Sequence, residues 1–249
     1  MRTSMPFALM LALFSLATRA DTAEPAPAVF MTADVWPWGH HDEYGRPAGL
    51  ITELAKRLGE AAGLPVENRI VPHQRLIREL RQGRVTFTVL FDNPTLDDFT
   101  VSLGPVLNTH LLFLGLERNK QNLSLQGLAG KRVGHIRGTY YGQAFAEDTG
   151  MRKVAISDLA QGLNMLKMGR LDAIIISEIV LHYTLSELSL DINDFVYSIH
   201  SHSHPGNLYM FHQPTDPEQG ERMRAALDAL RDSGELDKLF NLKTSTAAD

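Results

Sequence analysis

The 249-residue chain is 44% hydrophobic and 21% charged, has a net charge of −5 at pH 7, and contains no cysteine. These figures exclude structural disulfides, thiolate metal sites and a lipid-anchoring cysteine, so a packed core alone must hold one or two domains. A mildly acidic chain without a basic run is a poor nucleic-acid binder, and no such partner is expected.

Arg2, the apolar run Pro6 to Leu16 and the small residues at Thr18-Arg19-Ala20 have the layout of a secretory leader cleaved near Ala20. The run is about half of the roughly 20 apolar residues that span a bilayer. Loss of residues 1–20 takes the net charge from −5 to −7. Residues 21–28 read as a linker. Val29–Thr32 is a strand signal. Leu50, Leu54, Leu58 and Ala62 share a helical face between Gly49 and Gly63. Val66–Val71 reads as a strand, Pro72–Gln82 as a helix and Val85–Phe91 as a strand buried on both faces. The second half repeats this grammar. Strands are expected at Lys131–Ile136, Val154–Ile156 and Ala173–Ile176, and helices at Thr139–Asp148 and Asp158–Met168. Asp216-Pro217 caps a helix carrying Met223, Leu227 and Leu230 on one face. Gly234 stops it, and Glu235–Asn241 forms a short amphipathic tail.

One internal echo sets the architecture. Leu80-Arg81-Gln82-Gly83-Arg84-Val85, leading to a strand that ends at Phe91, matches Leu166-Lys167-Met168-Gly169-Arg170-Leu171, whose strand ends at Ser177. A repeated helix, Gly-Arg stop and buried strand implies two similar α/β lobes rather than one large sheet. Ligands of open α/β sheets bind beyond the carboxyl ends of the strands. That rule places Leu90-Phe91-Asp92-Asn93 across a cleft from Ser177-Glu178.

Five segments in order resemble the bacterial extracellular solute-binding proteins of family 3, the polar amino-acid receptors of ABC importers. They are Trp36-Pro37-Trp38 with Gly49-Leu50-Ile51-Thr52-Glu53-Leu54; Leu76-Ile77 with Gly83-Arg84; and Leu128-Ala129-Gly130-Lys131-Arg132-Val133-Gly134 with Arg137-Gly138-Thr139. Gly169-Arg170-Leu171-Asp172-Ala173 and Ser233-Gly234-Glu235-Leu236-Asp237-Lys238-Leu239 complete the set. The resemblance implies an α/β periplasmic-binding-protein type II fold of two lobes joined by two crossovers. Lobe one is expected at 29–110 plus about 206–243, lobe two at 111–205, and a tail at 244–249. It also implies a monomer without a cofactor that closes on a small-molecule ligand by a hinge and presents it to a membrane importer or sensor. The chain departs from the family at two charged positions. Leu96 stands where the family's carboxylate-binding arginine is expected, and Ser177 where its ammonium-binding aspartate is expected. Neither compensates a buried zwitterion.

The ligand-binding candidates are Trp36, Arg75, Phe91, Asp92, Gly138, Thr139, Tyr140, Ser177 and Glu178. Gly138-Thr139-Tyr140 is expected at a helix N-terminus, where free N–H groups suit an anion, although a plain N-cap explains Thr139 equally. Among the aromatics, Trp36, Trp38, Phe91, Tyr140 and Tyr141 are expected to converge on the cleft; a core position is the alternative for some of them, Trp38 first. Arg75, and more weakly Arg137, could supply the charge that Leu96 lacks; a solvated surface role is as good a reading. Asp92 or Glu178 could replace the missing acid. His200, His202 and His204 alternate along an extended segment, with His212, His40 and His41 as further imidazoles. They span roughly 13 Å and are more readily a polar hinge than a metal site. Glu178 and Arg75 could also serve as acid and clamp in a cyclohexadienyl-dehydratase-like enzyme, but no sequence feature requires catalysis and none is expected.

Overall fold

A computed structural model describes residues 27–119, 122–214 and 216–240. The expected leader, most of the linker and the tail lie outside these residues. The elements in chain order are β1 (Ala28–Ala33), a small hairpin of β2 (His40–His41) and β3 (Pro47–Ala48), α1 (Leu50–Ala62), β4 (Val66–Val71), α2 (His73–Arg81) and β5 (Phe87–Phe91). The long strand β6 (Thr100–Leu116) follows. Then come β7 (Arg132–Ile136), α3 (Gln143–Glu147), β8 (Arg152–Ile156), α4 (Leu159–Lys167), β9 (Ala173–Ser177) and α5 (Glu178–Glu187). A second long strand, β10 (Phe195–Phe211), precedes α6 (Pro217–Asp232) and α7 (Glu235–Phe240).

The sequence echo is reproduced element by element. α2 and α4 are both nine residues long, and β5 and β9 both five. The glycine after each helix, Gly83 or Gly169, is left-handed at φ 70° and 68°, a conformation that side-chain-bearing residues avoid. In the second copy Arg132 forks onto Asp172 with bonds of 3.0 Å from both Nε and Nη2, while its backbone N–H donates to the same carboxylate at 2.8 Å. This pairing holds the Asp172 carboxyl below its usual pKa. The Arg-Leu-Asp-Ala segment therefore ties β7 to β9 and serves the frame of the lobe, not a ligand.

The strands form one ladder in the order β4-β1-β5-β10-β6-β9-β7-β8. Each half has a core of its own, with Ile179 and Val35 packed across into the core of the other half. Within β10, β5 pairs with Gly206–Met210, and within β6, β9 pairs with Leu111–Leu114. β6 and β10, 17 residues each, therefore belong to one half at one end and to the other half at the other. Their mutual register slips between Ile199 and Ser201, Ser201 and His204, Gly206 and Asn207, and Leu208 and Tyr209; the slip between Ser201 and His204 alone lies between the two pairings. Phe30, Leu54, Phe87 and Leu227 fill one half; Leu114, Leu163, Ile174 and Ile176 fill the other. Two similar halves are present as the echo implies, but strand pairing runs continuously from one into the other.

The helix read at Thr139–Asp148 is shorter than its sequence pattern. α3 spans only Gln143–Glu147, with Gly142 as its N-cap. Thr139 instead closes a tight turn, donating its N–H to Ile136 O at 3.2 Å. The two long strands and α5 escaped the sequence reading.

Leu227 on α6 is fully buried against the first core. Leu227→Ala should cost about 2–5 kcal/mol. Urea denaturation should show a clearly lowered midpoint, and an unchanged midpoint would contradict this packing.

Candidate ligand-binding cleft

The segment between β1 and α1 is built by backbone hydrogen bonds. Trp38 N–H donates to Val35 O at 2.8 Å, and the first amides of α1, Leu50 and Ile51, donate to Pro37 O and Trp38 O at 3.0 and 2.9 Å. Residue 49 must be glycine for this arrangement: its φ is 113°, and a Cβ there would lie 2.7 Å from Trp38 O. The result fixes Trp38 edge-on to Phe91, ring centroids 5.8 Å apart.

Between the halves lies a cavity of about 70 Å³, room for on the order of five water-sized groups. One half lines it with Thr32 and Ala33 at the end of β1, Val35 and Trp38, His73 and Ile77 on α2, and Val89, Leu90 and Phe91 at the end of β5. Asn93 and Leu96 follow β5, and Ile51, Leu107 and Gly206 complete that wall. From the opposite half, among the described residues, comes only the turn Gly138-Thr139-Tyr140 after β7. The cavity therefore sits at the carboxyl ends of parallel strands from both halves, as the topology requires.

The two walls touch. Gly138, at φ 85°, lies so close to the His73 ring that a Cβ would stand 2.9 Å from its Nδ1. His204 on β10 donates Nε2–H to Tyr140 O at 3.0 Å, with its ring 4.4 Å from that of Phe91. Farther out, Tyr183 on α5 donates to Leu239 O on α7 at 3.5 Å. Burial holds the His73 pKa below the ordinary histidine value and pushes His204 down to about 4.

Of the residues nominated from sequence, Phe91, Gly138, Thr139 and Tyr140 line the cavity together. The other five lie elsewhere, each for a visible reason. The Trp36 ring lies tilted against His40 at 4.8 Å, and its buried indole N–H finds no acceptor among the described residues; Trp38 lines the cavity instead. Arg75 is exposed on the outer face of α2, 3.7 Å from Glu79. Asp92 faces outward and accepts from Tyr209 Oη at 3.0 Å; Tyr209 is pushed up to about 12, chiefly by burial. Ser177 is the N-cap of α5, accepting from Val180 N–H at 3.4 Å, because a helix starts directly after β9 whereas a short 3₁₀ turn follows β5. Glu178 pairs with His110 Nδ1 at 3.1 Å. Tyr141 is core: its hydroxyl accepts from Ile136 N–H at 3.3 Å, and burial raises its pKa.

The alternating histidines have separate neighbours. The His200 ring lies 4.9 Å from Phe113, His202 lies 5.7 Å from His110, and His204 is held by Tyr140 and Phe91. No group of three metal-ligating side chains occurs among the described residues. Sequence reasoning set Asn93 at the cleft within Leu90–Asn93 without nominating it as a contact, and it did not nominate His73. The available signal for both was their place just beyond β4 and β5 at the strand carboxyl ends.

A cavity enclosed by two α/β halves, each contributing its strand carboxyl ends and joined by two long strands, defines a type II periplasmic-binding-protein fold. No family model matches the chain. Among curated proteins it is 28% identical over 215 residues to the arginine-binding extracellular protein ArtP of Bacillus subtilis (strain 168), covering 84% of this chain and 82% of that one. Among solved structures, a histidine kinase sensor domain with similarity to periplasmic binding proteins has a TM-score of 0.74 at 20% identity, over 86% of this chain and 94% of that one. An ancestral arginine-binding protein bound to arginine gives 0.72 at 21% identity, over 86% and 96%. The chain is thus distantly similar in sequence to an extracellular arginine-binding protein, and it shares the type II periplasmic-binding-protein fold of the solved structures.

His204 predicts a pH dependence. Its folded pKa, about 4, lies below the ordinary 6.5, so the folded state binds fewer protons between these values. Its contribution to stability is complete above about pH 6.5 and is lost as the pH falls toward 4. His204→Gln, which keeps an N–H donor for Tyr140 O but cannot titrate, should show a shallower loss of denaturation midpoint between pH 6.5 and 4. His73, His135 and His200, also lowered by burial, account for the residual slope. Identical slopes in both proteins would contradict the assignment.

Proposed function

We propose that this chain is a secreted, monomeric solute receptor that closes its two lobes on a small organic molecule and presents the closed form to an ABC importer or a sensor. In this reading residues 1–20 are a cleaved leader, 29–110 plus 206–243 form lobe one, and 111–205 form lobe two. The observation that carries it is the cavity whose floor comes from β1, β5 and α2 and whose lid is the turn at Gly138–Tyr140. A ligand favours closure only by touching both walls at once, and this cavity offers both. The relatives support either destination, since they include an extracellular binding protein and a kinase sensor domain.

An amino acid is the ligand class suggested by those relatives, but the family's usual pose lacks both charged partners here. Leu96 lines the cavity as a buried leucine, and Ser177 is committed to capping α5. The anion expected from Arg75 and from a helix start at Thr139 loses both supports. Arg75 lies outside the cavity, and α3, five residues long, begins at Gln143. Glu178 and Arg75, the acid and clamp of the dehydratase reading, face His110 and Glu79. The similar proteins are named as binding proteins and a sensor domain.

Thermal shift against amino acids, organic acids and neutral organic solutes, followed by small-angle scattering with each hit, tests the reading. At least one solute should raise the melting temperature and shrink the radius of gyration. A panel that leaves both unchanged contradicts it. For such a solute, Gly138→Ala should weaken binding about tenfold or more, because the added Cβ is strained at φ 85° and forced against His73.

A further inference from the structure

We infer that the cleft selects a solute without formal charge, one with a flat or compact apolar body and a single hydrogen-bonding end. The inference rests on the receptor reading above and narrows its ligand class. Three aromatic side chains, Trp38, Phe91 and Tyr140, frame the cavity, and Val35, Ile77 and Leu96 are among its aliphatic walls. No Asp, Glu, Lys or Arg lines it among the described residues.

The polar groups that do reach the cavity are uncharged, and most are already engaged. Thr32 donates its hydroxyl to Asn68 Oδ1 at 2.9 Å. The side-chain oxygen of Asn93 accepts from both the N–H and the hydroxyl of Thr95 at 3.0 Å, so its amide nitrogen is the group left to donate. Thr139 bonds to the Tyr141 hydroxyl. His73 is kept neutral by burial, so its imidazole offers one donor and one acceptor. Enclosing an ammonium or carboxylate here would strip its water against neutral dipoles alone, a large desolvation cost that only a paired charge compensates. A neutral amide or hydroxyl has no such cost once it is hydrogen-bonded. His73 and Asn93 can meet a single polar end, while Trp38, Phe91 and Leu96 cover the body.

The test uses one ring body in four charge states: phenylacetamide, phenylacetate, phenethylammonium and L-phenylalanine. L-arginine and L-glutamine serve as family-type controls. Binding to the full mature chain is read by calorimetry and by the fluorescence of Trp38 in a Trp36→Phe background. Phenylacetamide should bind at least about tenfold more tightly than any charged member of the series. Asn93→Arg, which adds a cation at the rim of the cavity, should shift the preference toward phenylacetate. Leu96→Arg should do the same, provided circular dichroism shows that it folds. An ion or amino acid that binds as tightly as the amide overturns the inference but leaves the receptor reading intact. If neither the series nor the two controls produces heat or a Trp38 response, the receptor reading fails with it.

Discussion

The pairing of β6 with β10 is the constraint on which the rest of the molecule depends. Each strand is 17 residues long, and each takes a further neighbour at one end: β10 takes β5, and β6 takes β9. Because β5 takes the Gly206–Met210 end of β10 and β9 takes the Leu111–Leu114 end of β6, two independent α/β halves grow from one ribbon. The register slip between Ser201 and His204 falls between these anchored ends, where the ribbon carries no third strand. A two-stranded ribbon with a segment free of a third strand is the kind of connection that hinge motions use.

The chemistry of the cleft is set by the groups each wall can place at its strand ends. One wall is broad and mostly apolar; the other is a single turn. The turn reaches the broad wall because Gly138 has no side chain and His204 bonds the carbonyl of Tyr140. The two walls therefore touch through two histidines, and burial lowers the pKa of both imidazoles. No Asp, Glu, Lys or Arg lines that cavity among the described residues, so shape and desolvation are what its walls offer a guest.

Much of this was legible in the chain. The echo between Leu80–Val85 and Leu166–Leu171 announced two equivalent helix–strand units, and the bounds of α2, β5, α4 and β9 obey it. Gly49, Gly63, Gly83 and Gly169 marked turns that only glycine fits comfortably. The long strands were harder to see, because each passes from core to hinge to core and so breaks the alternation that announces a strand. Thr139 misled for a different reason. Its N-cap pattern is real as local chemistry, but the tight turn closed onto Ile136 O and the Tyr141 hydroxyl used the same groups first. Ser177 and Phe91 are equivalent by sequence. Their roles diverge because a helix starts directly after Ser177, whereas Phe91 leads through a short turn into β6. Charged candidates such as Arg75 and Glu178 could not be separated from surface pairs without their neighbours, Glu79 and His110.

Amide hydrogen exchange, measured with and without a saturating solute, interrogates the shared pocket directly. Protection should increase together at Val89–Asn93 and at Gly138–Tyr140, segments far apart in sequence that a single guest would bridge. Protection confined to one of these segments, or appearing only elsewhere, would mean that the two walls do not enclose the ligand.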